Sequence, residues 1–346
     1  MGDARKVSRR GFVGAAAGTT VAAALGPFSP VAAAHRHGHG HDDGDALLPK
    51  SRIGIQLYTV RDQVNALGFE EVFKRLSAMG YREVEFAGYN AQGRRWSNEE
   101  LRGLLRKYRL KAAGSHVGYT GGYSFASTLE QVLDDAEEIG MKYIGTASGP
   151  SAGGNGQTVD GYKKAAEDFN RFGAAARERG LRFYQHNHDS EFQVVDGTRL
   201  YDVLFEETDP RLVFLEMDIF WAYVGQSRFP GFRPSDYVWD NPERYPLFHV
   251  KDGLFNGGRH SGWTMTDVGA GDLPYEPFFC GLDTDDHHFI MENDDAAQAE
   301  GGSFGDAERS YDYMASLRER AGGKGGHRHG HHGHKHRGGR GGKHRH

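Results

Sequence analysis

The chain has 346 residues, one cysteine, 19 histidines and a formal net charge of −5. Its charge is unevenly distributed: residues 47–320 carry 30 Lys and Arg against 43 Asp and Glu, whereas residues 321–346 carry 7 Lys and Arg and no acid. The acidic central region argues against nucleic-acid binding by the folded part. The single cysteine, Cys280, excludes an intramolecular disulfide and a redox cysteine pair. No apolar run reaches the ~20 residues that a membrane span requires.

The N-terminal segment has the features of an export signal. Arg9 and Arg10 precede Phe12, an apolar stretch rich in Ala and Gly follows, and an Ala-x-Ala site ends the segment. This order is typical of a secretory signal peptide, and the arginine pair is typical of the twin-arginine type. The sequence therefore predicts a signal peptide over residues 1–34, a linker rich in His and Asp over residues 35–46, and a mature protein outside the cytoplasm.

The C-terminal segment is low in complexity. Residues 321–346 consist of Gly, His, Lys and Arg apart from Ala321. Such a segment buries too little apolar surface to offset its ordering entropy, so we predict a disordered tail. Its histidines either form a tract that binds transition metals loosely or only reflect the biased composition of the segment. Residues 47–320 are left, which is enough for one substantial hydrophobic core.

Eight short apolar or β-branched runs recur through this core region and predict strands. They are Ile53–Tyr58, Glu83–Ala87, Leu110–Ser115, Tyr143–Thr146, Leu181–His186, Val213–Asp218, Leu247–Lys251 and His288–Glu292. Segments between them place apolar side chains on one helical face. These predicted helices are Phe69–Met79, Leu129–Ile139, Tyr162–Arg179 and Tyr311–Arg320. Gly80, Gly140 and Gly180 each follow a predicted helix, as C′ glycines do.

The alternation of strands and helices predicts a parallel β/α fold. Eight units in a region of this length match a single-domain (β/α)8 TIM barrel. A doubly wound open sheet is the alternative. We favour the barrel because no Gly-x-Gly-x-x-Gly motif follows the first strand and because polar residues stand at many strand ends.

Polar side chains recur where the predicted strands end. They are Gln56, Glu85, His116, His186, His188, Asp218, His249, Lys251 and Glu292. The carboxyl ends of TIM-barrel strands meet at one mouth, where active sites form. Side chains alternate along a strand, so Glu216 and Asp218 point the same way, as do His249 and Lys251. The polar set can therefore converge.

Asp218, His249 and Glu292 combine two carboxylates and an imidazole on successive strand ends. Mixed oxygen and nitrogen ligands suit one divalent metal, Mn²⁺, Zn²⁺, Co²⁺ or Mg²⁺, and leave positions open for substrate. Singly, each residue has a structural alternative: a helix cap for Asp218, a hydrogen-bonded core histidine for His249 and a salt bridge for Glu292. As a set they predict a metal site.

Seven motifs occur along the core region, in this order: IGIQLY at 53–58, GYREVE at 80–85, QHNHDSEF at 185–192, LEMDIFW at 215–221, FHVKD at 248–252, DVGAG at 267–271 and FIMEND at 289–294. Together they resemble the xylose-isomerase-like sugar phosphate isomerase/epimerase superfamily. The resemblance implies a TIM barrel with one divalent metal at its mouth. It also implies a substrate that is a sugar, a polyol or a keto-sugar, and it transfers Asp218, His249 and Glu292 as metal ligands.

Strand 5 departs from the superfamily pattern. Metal-bound members usually carry a glutamate ligand at its end, but Leu181–His186 contains no carboxylate. His186 is the candidate for a fourth ligand and His188 is the second choice; alternatively, both only hydrogen-bond the substrate. The loss removes an obvious partner for symmetric two-base epimerisation, whereas enolisation and elimination from a 3-keto-sugar need one base.

The remaining residues receive expected roles in catalysis and binding. Glu292 or His188 would move the proton. Lys251 would neutralise a developing oxyanion, or it is an ordinary surface lysine. The expected substrate contacts are Gln56, Glu85, His116, Trp221 and Lys251.

The sequence thus predicts a divalent-metal-dependent isomerase or epimerase that acts on a small-molecule sugar, keto-sugar or polyol. The alternatives are a 3-keto-sugar lyase or dehydratase and a non-catalytic barrel that binds a sugar or a metal. An endonuclease on the same barrel would need more metal ligands and a basic face, which the excess of acids opposes. An oligomer is compatible with the sequence.

Overall fold

The computed structural model describes residues 45–318. The predicted signal peptide, most of the predicted linker and the predicted tail lie outside the described residues. Among the helices described, none combines the length and the apolar character needed to cross a bilayer. The backbone amide of Leu47 donates to the carbonyl of Leu317 at 3.0 Å, so the first and last described segments are paired.

Eight parallel strands form, each within one of the predicted runs. They are β1 (Ile53–Gln56), β2 (Glu83–Phe86), β3 (Lys111–Ser115), β4 (Tyr143–Thr146), β5 (Arg182–His186), β6 (Val213–Asp218), β7 (Leu247–Val250) and β8 (His288–Met291). Hydrogen bonds connect them in the order β3-β2-β1-β8-β7-β6-β5-β4.

The sheet closes between its two outer strands. Beyond the ends of β3 and β4, His116 forms a parallel bridge with Gly145. The backbone amide of Val117 donates to the Gly145 carbonyl at 2.8 Å. The predicted single-domain (β/α)8 barrel is therefore confirmed, and the doubly wound open sheet is excluded.

Nine α-helices lie in the described part of the chain. They are α1 (Arg61–Met79), α2 (Asn98–Lys107), α3 (Phe125–Ile139), α4 (Val159–Glu178), α5 (Leu200–Glu207), α6 (Ile219–Arg228), α7 (Pro234–Asp240), α8 (Tyr275–Phe279) and α9 (Gly302–Ser316). Gly80 and Gly140 cap α1 and α3 with φ of 120° and 91°, which favours glycine at both positions.

The predicted helix Tyr311–Arg320 overlaps an observed helix, but both of its bounds are wrong. The observed α9 starts nine residues earlier and ends at Ser316. Its first half buries polar side chains that hide the apolar periodicity. One of them, Ser303, donates from Oγ to Asp62 Oδ1 at 2.7 Å, and Asp306 is also buried. Hydrogen bonds replace apolar contacts on this face of the helix, so a hydrophobic pattern could not locate it.

Glycines inside the barrel make room for one aromatic ring. A Cβ atom on Gly145 would lie 2.4 Å from the backbone oxygen of Tyr184 and 2.5 Å from its ring. A Cβ on Gly114 would lie 3.0 Å from the Tyr184 hydroxyl. The buried Tyr184 hydroxyl donates to Glu85. The ring thus supports the polar groups at the carboxyl ends of the strands from below.

An antiparallel hairpin follows β7, formed by Asp252–Gly258 and Gly262–Thr266. The Asp252 carboxylate fixes its base by accepting from the amides of Gly253 at 2.8 Å and Gly269 at 2.9 Å. The hairpin carries His260, whose ring packs 5.4 Å from that of Trp221. The hairpin therefore lies beside the carboxyl end of the barrel.

Candidate active site

The predicted polar residues converge at the carboxyl end of the barrel. Inward positions of β6 supply Glu216 and Asp218, and β7 supplies His249, because alternate side chains of a strand share a face. All three are fully buried. Buried charges are costly unless they are paired, so the packing of this cluster depends on its internal hydrogen bonds and ion pairs.

Glu216 lies at the centre of the cluster. Its Oε2 atom is 2.8 Å from His116 Nε2, 3.0 Å from His186 Nδ1 and 3.3 Å from His249 Nε2. We did not predict a role for Glu216 from the sequence. The available signal was its position two residues before Asp218 on the same strand face, but alternation does not show that three imidazoles surround it.

His249 bridges two carboxylates at the base of the cluster. Its Nε2 atom is 2.7 Å from Glu85 Oε2, and its Nδ1 atom is 2.8 Å from Glu292 Oε2. Burial alone would lower the pKa of His249, but the surrounding carboxylates, led by Glu216, raise it well above its usual value. The imidazole is therefore held as a cation between these carboxylates, and it would have to give up one proton to bind a metal.

Lys251 is a buried member of the cluster, so the alternative of a surface lysine is wrong. Its Nζ atom lies 2.8 Å from Glu292 Oε2, 3.0 Å from Asp218 Oδ2 and 3.3 Å from Asp294 Oδ1. Burial alone would lower the pKa of Lys251, but the carboxylates raise it well above its usual value. Burial would likewise raise the pKa of Glu292, yet Lys251 and His249 hold it well below its usual value. The pair is thus an ammonium beside a carboxylate.

Asp218 has two roles at once. Its Oδ1 atom accepts from the Trp221 amide at 2.9 Å and caps α6. This is the helix-capping role that the sequence offered as an alternative to metal binding. Its Oδ2 atom faces Lys251 and lies 3.6 Å from His186 Nε2. Burial raises the pKa of Asp218 to about 6, against the opposing effect of Lys251. Capping thus leaves one oxygen directed into the cluster.

Two overlapping groups of donor atoms could hold a metal ion. One consists of His186, Asp218, His249 and Glu292, and the other of His116, His186, Glu216 and His249; within each, the donor atoms lie within 4.8 Å of one another. Burial, followed by the nearby His249, lowers the pKa of His186 well below its usual value, so its imidazole is neutral and has a lone pair for a metal. The first group contains all four predicted ligands. Two carboxylates and two imidazoles fit a divalent cation.

A cavity of about 380 Å³ opens above the cluster. Its polar lining consists of His116, His186, His188, Lys251, Glu292 and Asp294, and Tyr58 forms part of its wall. The cavity volume suits a small polar molecule. Among the described residues, the lining thus includes His116 and Lys251 of the five predicted substrate contacts.

The other three predicted substrate contacts lie outside the lining of this cavity. Gln56 and Glu85 are fully buried, and Gln56 Nε2 donates to Glu85 Oε2 at 2.6 Å. They therefore support His116 and His249 from one layer below. Trp221 lies beside the cavity, with its ring 5.8 Å from that of His188. The position of a residue at a strand end predicted that its side chain points into the barrel. It did not predict whether the side chain reaches the cavity or stays buried below it.

His188 lines the cavity from the loop after β5. Burial, reinforced by the charge of Lys251, lowers the pKa of His188 to about 4, so the ring is neutral near pH 7. Its backbone amide donates to Glu191 Oε2 at 3.0 Å, which fixes the loop. A neutral imidazole at this point can hydrogen-bond a substrate hydroxyl as donor or acceptor.

Comparison with known proteins identifies the family. The family model described as Xylose isomerase-like TIM barrel matches residues 73–316, and the chain belongs to this family. An inosose dehydratase of Clostridium perfringens strain 13 is 28% identical over 235 residues, which cover 63% of this chain and 70% of that protein. A second inosose dehydratase, from another strain of the species, is 28% identical over 140 residues, and this chain spans 44% of its length.

Solved structures share the fold. A sugar phosphate isomerase/epimerase from Parabacteroides distasonis superposes with a TM-score of 0.61 at 21% identity and covers 76% of this chain and 93% of its own. A xylose isomerase domain containing protein from Salmonella typhimurium gives a TM-score of 0.57 at 14% identity, covering 78% of this chain and 98% of its own. At these identities the likeness shows the barrel.

Proposed function

We propose that the protein is a divalent-metal-dependent dehydratase that acts on a keto-sugar or a cyclic polyhydroxy ketone. The observation that supports this proposal most directly is the buried pair of Lys251 and Glu292. The Nζ and Oε2 atoms of the pair are 2.8 Å apart, and both residues line the cavity. One partner is a carboxylate that can accept a proton. The other is an ammonium that can donate one. A β-elimination of water needs these two functions side by side.

These two side chains account for every proton that moves in the proposed elimination. Glu292 takes the proton from the carbon next to the substrate carbonyl, and Lys251 gives a proton to the departing hydroxyl. The C–H electrons form the new carbon–carbon double bond, the C–O bond breaks, and one water leaves. The short contact then returns the proton from Glu292 to Lys251, which restores both groups.

The metal-ligating group supports the same reaction. His186, Asp218, His249 and Glu292 are the residues that would hold the cation. When bound, a divalent cation polarises a substrate carbonyl and stabilises negative charge next to it. His188 and His116 line the cavity and would orient the substrate hydroxyls by hydrogen bonds. The similarity to inosose dehydratases favours a cyclic polyhydroxy ketone as the first substrate to try.

The test is incubation of purified protein with an inosose, or with a 3-keto-sugar, in D₂O containing Mn²⁺, followed by mass spectrometry. A dehydratase gives a product lighter by one water, and the Glu292→Gln variant gives none. Lack of water loss from every ketone tried would contradict the proposal.

An aldose–ketose isomerase is the second candidate. The same Lys251–Glu292 pair favours it, because enolisation needs a base and a cation but no leaving group. The mass spectra separate the two functions. Isomerisation incorporates deuterium from solvent without loss of water.

We also propose export through the twin-arginine route, on the basis of the sequence before Ala34. Replacing Arg9 and Arg10 with lysine should retain the protein in the cytoplasm, whereas a conservative change outside the signal, Lys163→Arg, should not. Unchanged export of the double variant, measured by cell fractionation, would contradict this route.

A further inference from the structure

The amino-terminal end of the barrel contains a second cavity, of about 440 Å³. Its walls come from the starts of several strands, from α2 and from the end of α3. Cationic side chains dominate its polar lining; they are Arg52, Arg102, Arg106, Lys111 and Lys142. This concentration is unexpected in a folded region whose overall balance is strongly acidic.

The one carboxylate in the lining is already satisfied. Glu83 Oε2 lies 2.6 Å from His288 Nδ1, and His288 Nε2 lies 2.9 Å from Arg52 Nη1. An arginine can only donate, so Nε2 accepts and Nδ1 carries the proton that is donated to Glu83. The three side chains together carry no net charge, since Arg52 and Glu83 balance.

The other four cations form no ion pair with any carboxylate in the described part of the chain, and all four are exposed. Arg102 donates to the backbone carbonyl of Glu138 at 3.4 Å. The carboxylate of Glu138 accepts instead from Asn98 at 2.7 Å. An excess of four positive charges therefore faces this cavity.

The rest of the lining is apolar and open. Leu105, Leu110 and Ile139 contribute carbon surface. At Gly140 a Cβ atom would meet nothing within 4 Å, which leaves the backbone accessible. The volume lies in the range of small-molecule pockets and exceeds the needs of an inorganic anion.

We propose that this cavity binds a small organic phosphate at the end of the barrel opposite the candidate active site. Arginine forks and lysine ammonium groups are the usual partners of phosphate oxygens, and the leucines and Ile139 would contact the organic part. The proposal does not depend on the reaction assigned to the carboxyl end.

Phenyl phosphate is a suitable probe, because it joins a dianion to an apolar ring. Calorimetric titration of the full chain at fixed ionic strength should give saturable binding. The Arg106→Gln/Lys111→Gln variant should bind at least tenfold more weakly. The matched control, Lys164→Gln/Arg177→Gln on α4, removes the same charge from exposed positions outside this cavity and keeps the C-terminal segment intact. It should bind within twofold of wild type.

A second variant, Arg102→Gln/Lys142→Gln, probes other walls of the cavity and should show the same loss; thermal melts of all variants check folding. Three results would overturn the proposal: no saturable binding by wild type, equal weakening in the α4 control, or binding of phenol as tight as that of phenyl phosphate. Either of the first two would leave the general charge of the protein as the origin of any affinity.

Discussion

The two ends of the barrel place a histidine between charged side chains, with different results. At the carboxyl end His249 bridges two carboxylates, Glu85 and Glu292. At the amino end His288 bridges one carboxylate, Glu83, and one guanidinium. Two carboxylates both accept hydrogen bonds, so the ring between them must carry a proton on each nitrogen. A ring between a carboxylate and a guanidinium needs only one proton, because its other nitrogen accepts from the guanidinium. The partners, rather than the histidine, decide the charge at each end.

The same contrast extends to the surroundings. Around His249 the acids outnumber the cations, and nearly every charged group is buried. Around His288 the uncompensated charges are positive and exposed. Buried, closely coupled charges suit metal binding and proton transfer, and exposed cations suit recognition of an anion. Substitutions that exchange or remove these charges test the contrast.

The largest expected effect follows removal of the proposed general base, Glu292. Glu292→Gln at the carboxyl end should lower kcat/KM for the keto substrate about 10³-fold, since general acid–base catalysis contributes ~10²–10⁴-fold. Glu83→Gln is the matched change at the amino end and should stay within twofold of wild type. Equal losses in the two variants, measured by product formation, would mean that the ends are not functionally distinct.

A pH-dependent effect on stability comes next. Asp306 on α9 is buried, and its Oδ1 atom accepts from Ser310 Oγ at 3.3 Å. Burial, and then a hydrogen bond to Asp267, raise the pKa of Asp306 to about 8 from an ordinary value of 3.8. A carboxyl group whose pKa is raised by folding stabilises fully below its unfolded pKa and loses that contribution as pH rises to the folded pKa.

Between pH 6 and pH 9 the unfolding free energy of wild type should therefore fall by about 3 kcal/mol relative to Asp306→Asn, at ~1.4 kcal/mol per pH unit up to the folded pKa. Urea denaturation at several pH values measures the difference. Asp312→Asn, an exposed change on the same helix, should follow wild type. Parallel curves for wild type and Asp306→Asn would show that Asp306 is ionised at neutral pH.

Glu216 tests how the imidazoles are held. In Glu216→Gln the three rings lose their shared carboxylate, and Mn²⁺ affinity should fall ~10–100-fold, as for other groups that orient metal ligands. Mn²⁺ binding can be measured on the full chain by electron paramagnetic resonance. The histidine-rich segment 321–346 should interfere little, because imidazoles prefer zinc, nickel and copper. Glu206→Gln on the exposed face of α5 is the control. Unaltered Mn²⁺ binding by Glu216→Gln would restrict the site to the Asp218 group.

The sequence predicted the barrel, the face of each polar residue and the convergence of the polar set at one mouth, but not the depth at which each side chain lies. Strand-helix alternation is a local pattern, so β1 to β8 were found in order. Side-chain alternation along β6 showed that Glu216 and Asp218 share a face of the strand. It could not show that Glu216 contacts three imidazoles and Asp218 contacts Lys251, because those partners come from other parts of the barrel. The amino-terminal cavity was not predicted at all. Arg106, Lys111 and Lys142 line the same cavity only because the barrel closes. Their spacing along the chain does not indicate that they are neighbours.

The smallest expected effect concerns His288 itself. His288→Ala leaves the buried carboxylate of Glu83 without its donor, which should cost about 2 kcal/mol of unfolding free energy. His288→Gln keeps one donor and one acceptor and should cost less than half as much. Both variants should retain wild-type kcat/KM, because the lost contacts lie at the amino end. Urea denaturation and the product assay separate the two readouts. If His288→Ala lowered kcat/KM tenfold without loss of stability, the amino end would be coupled to catalysis, and a phosphate bound there would act on the reaction rather than only on the fold.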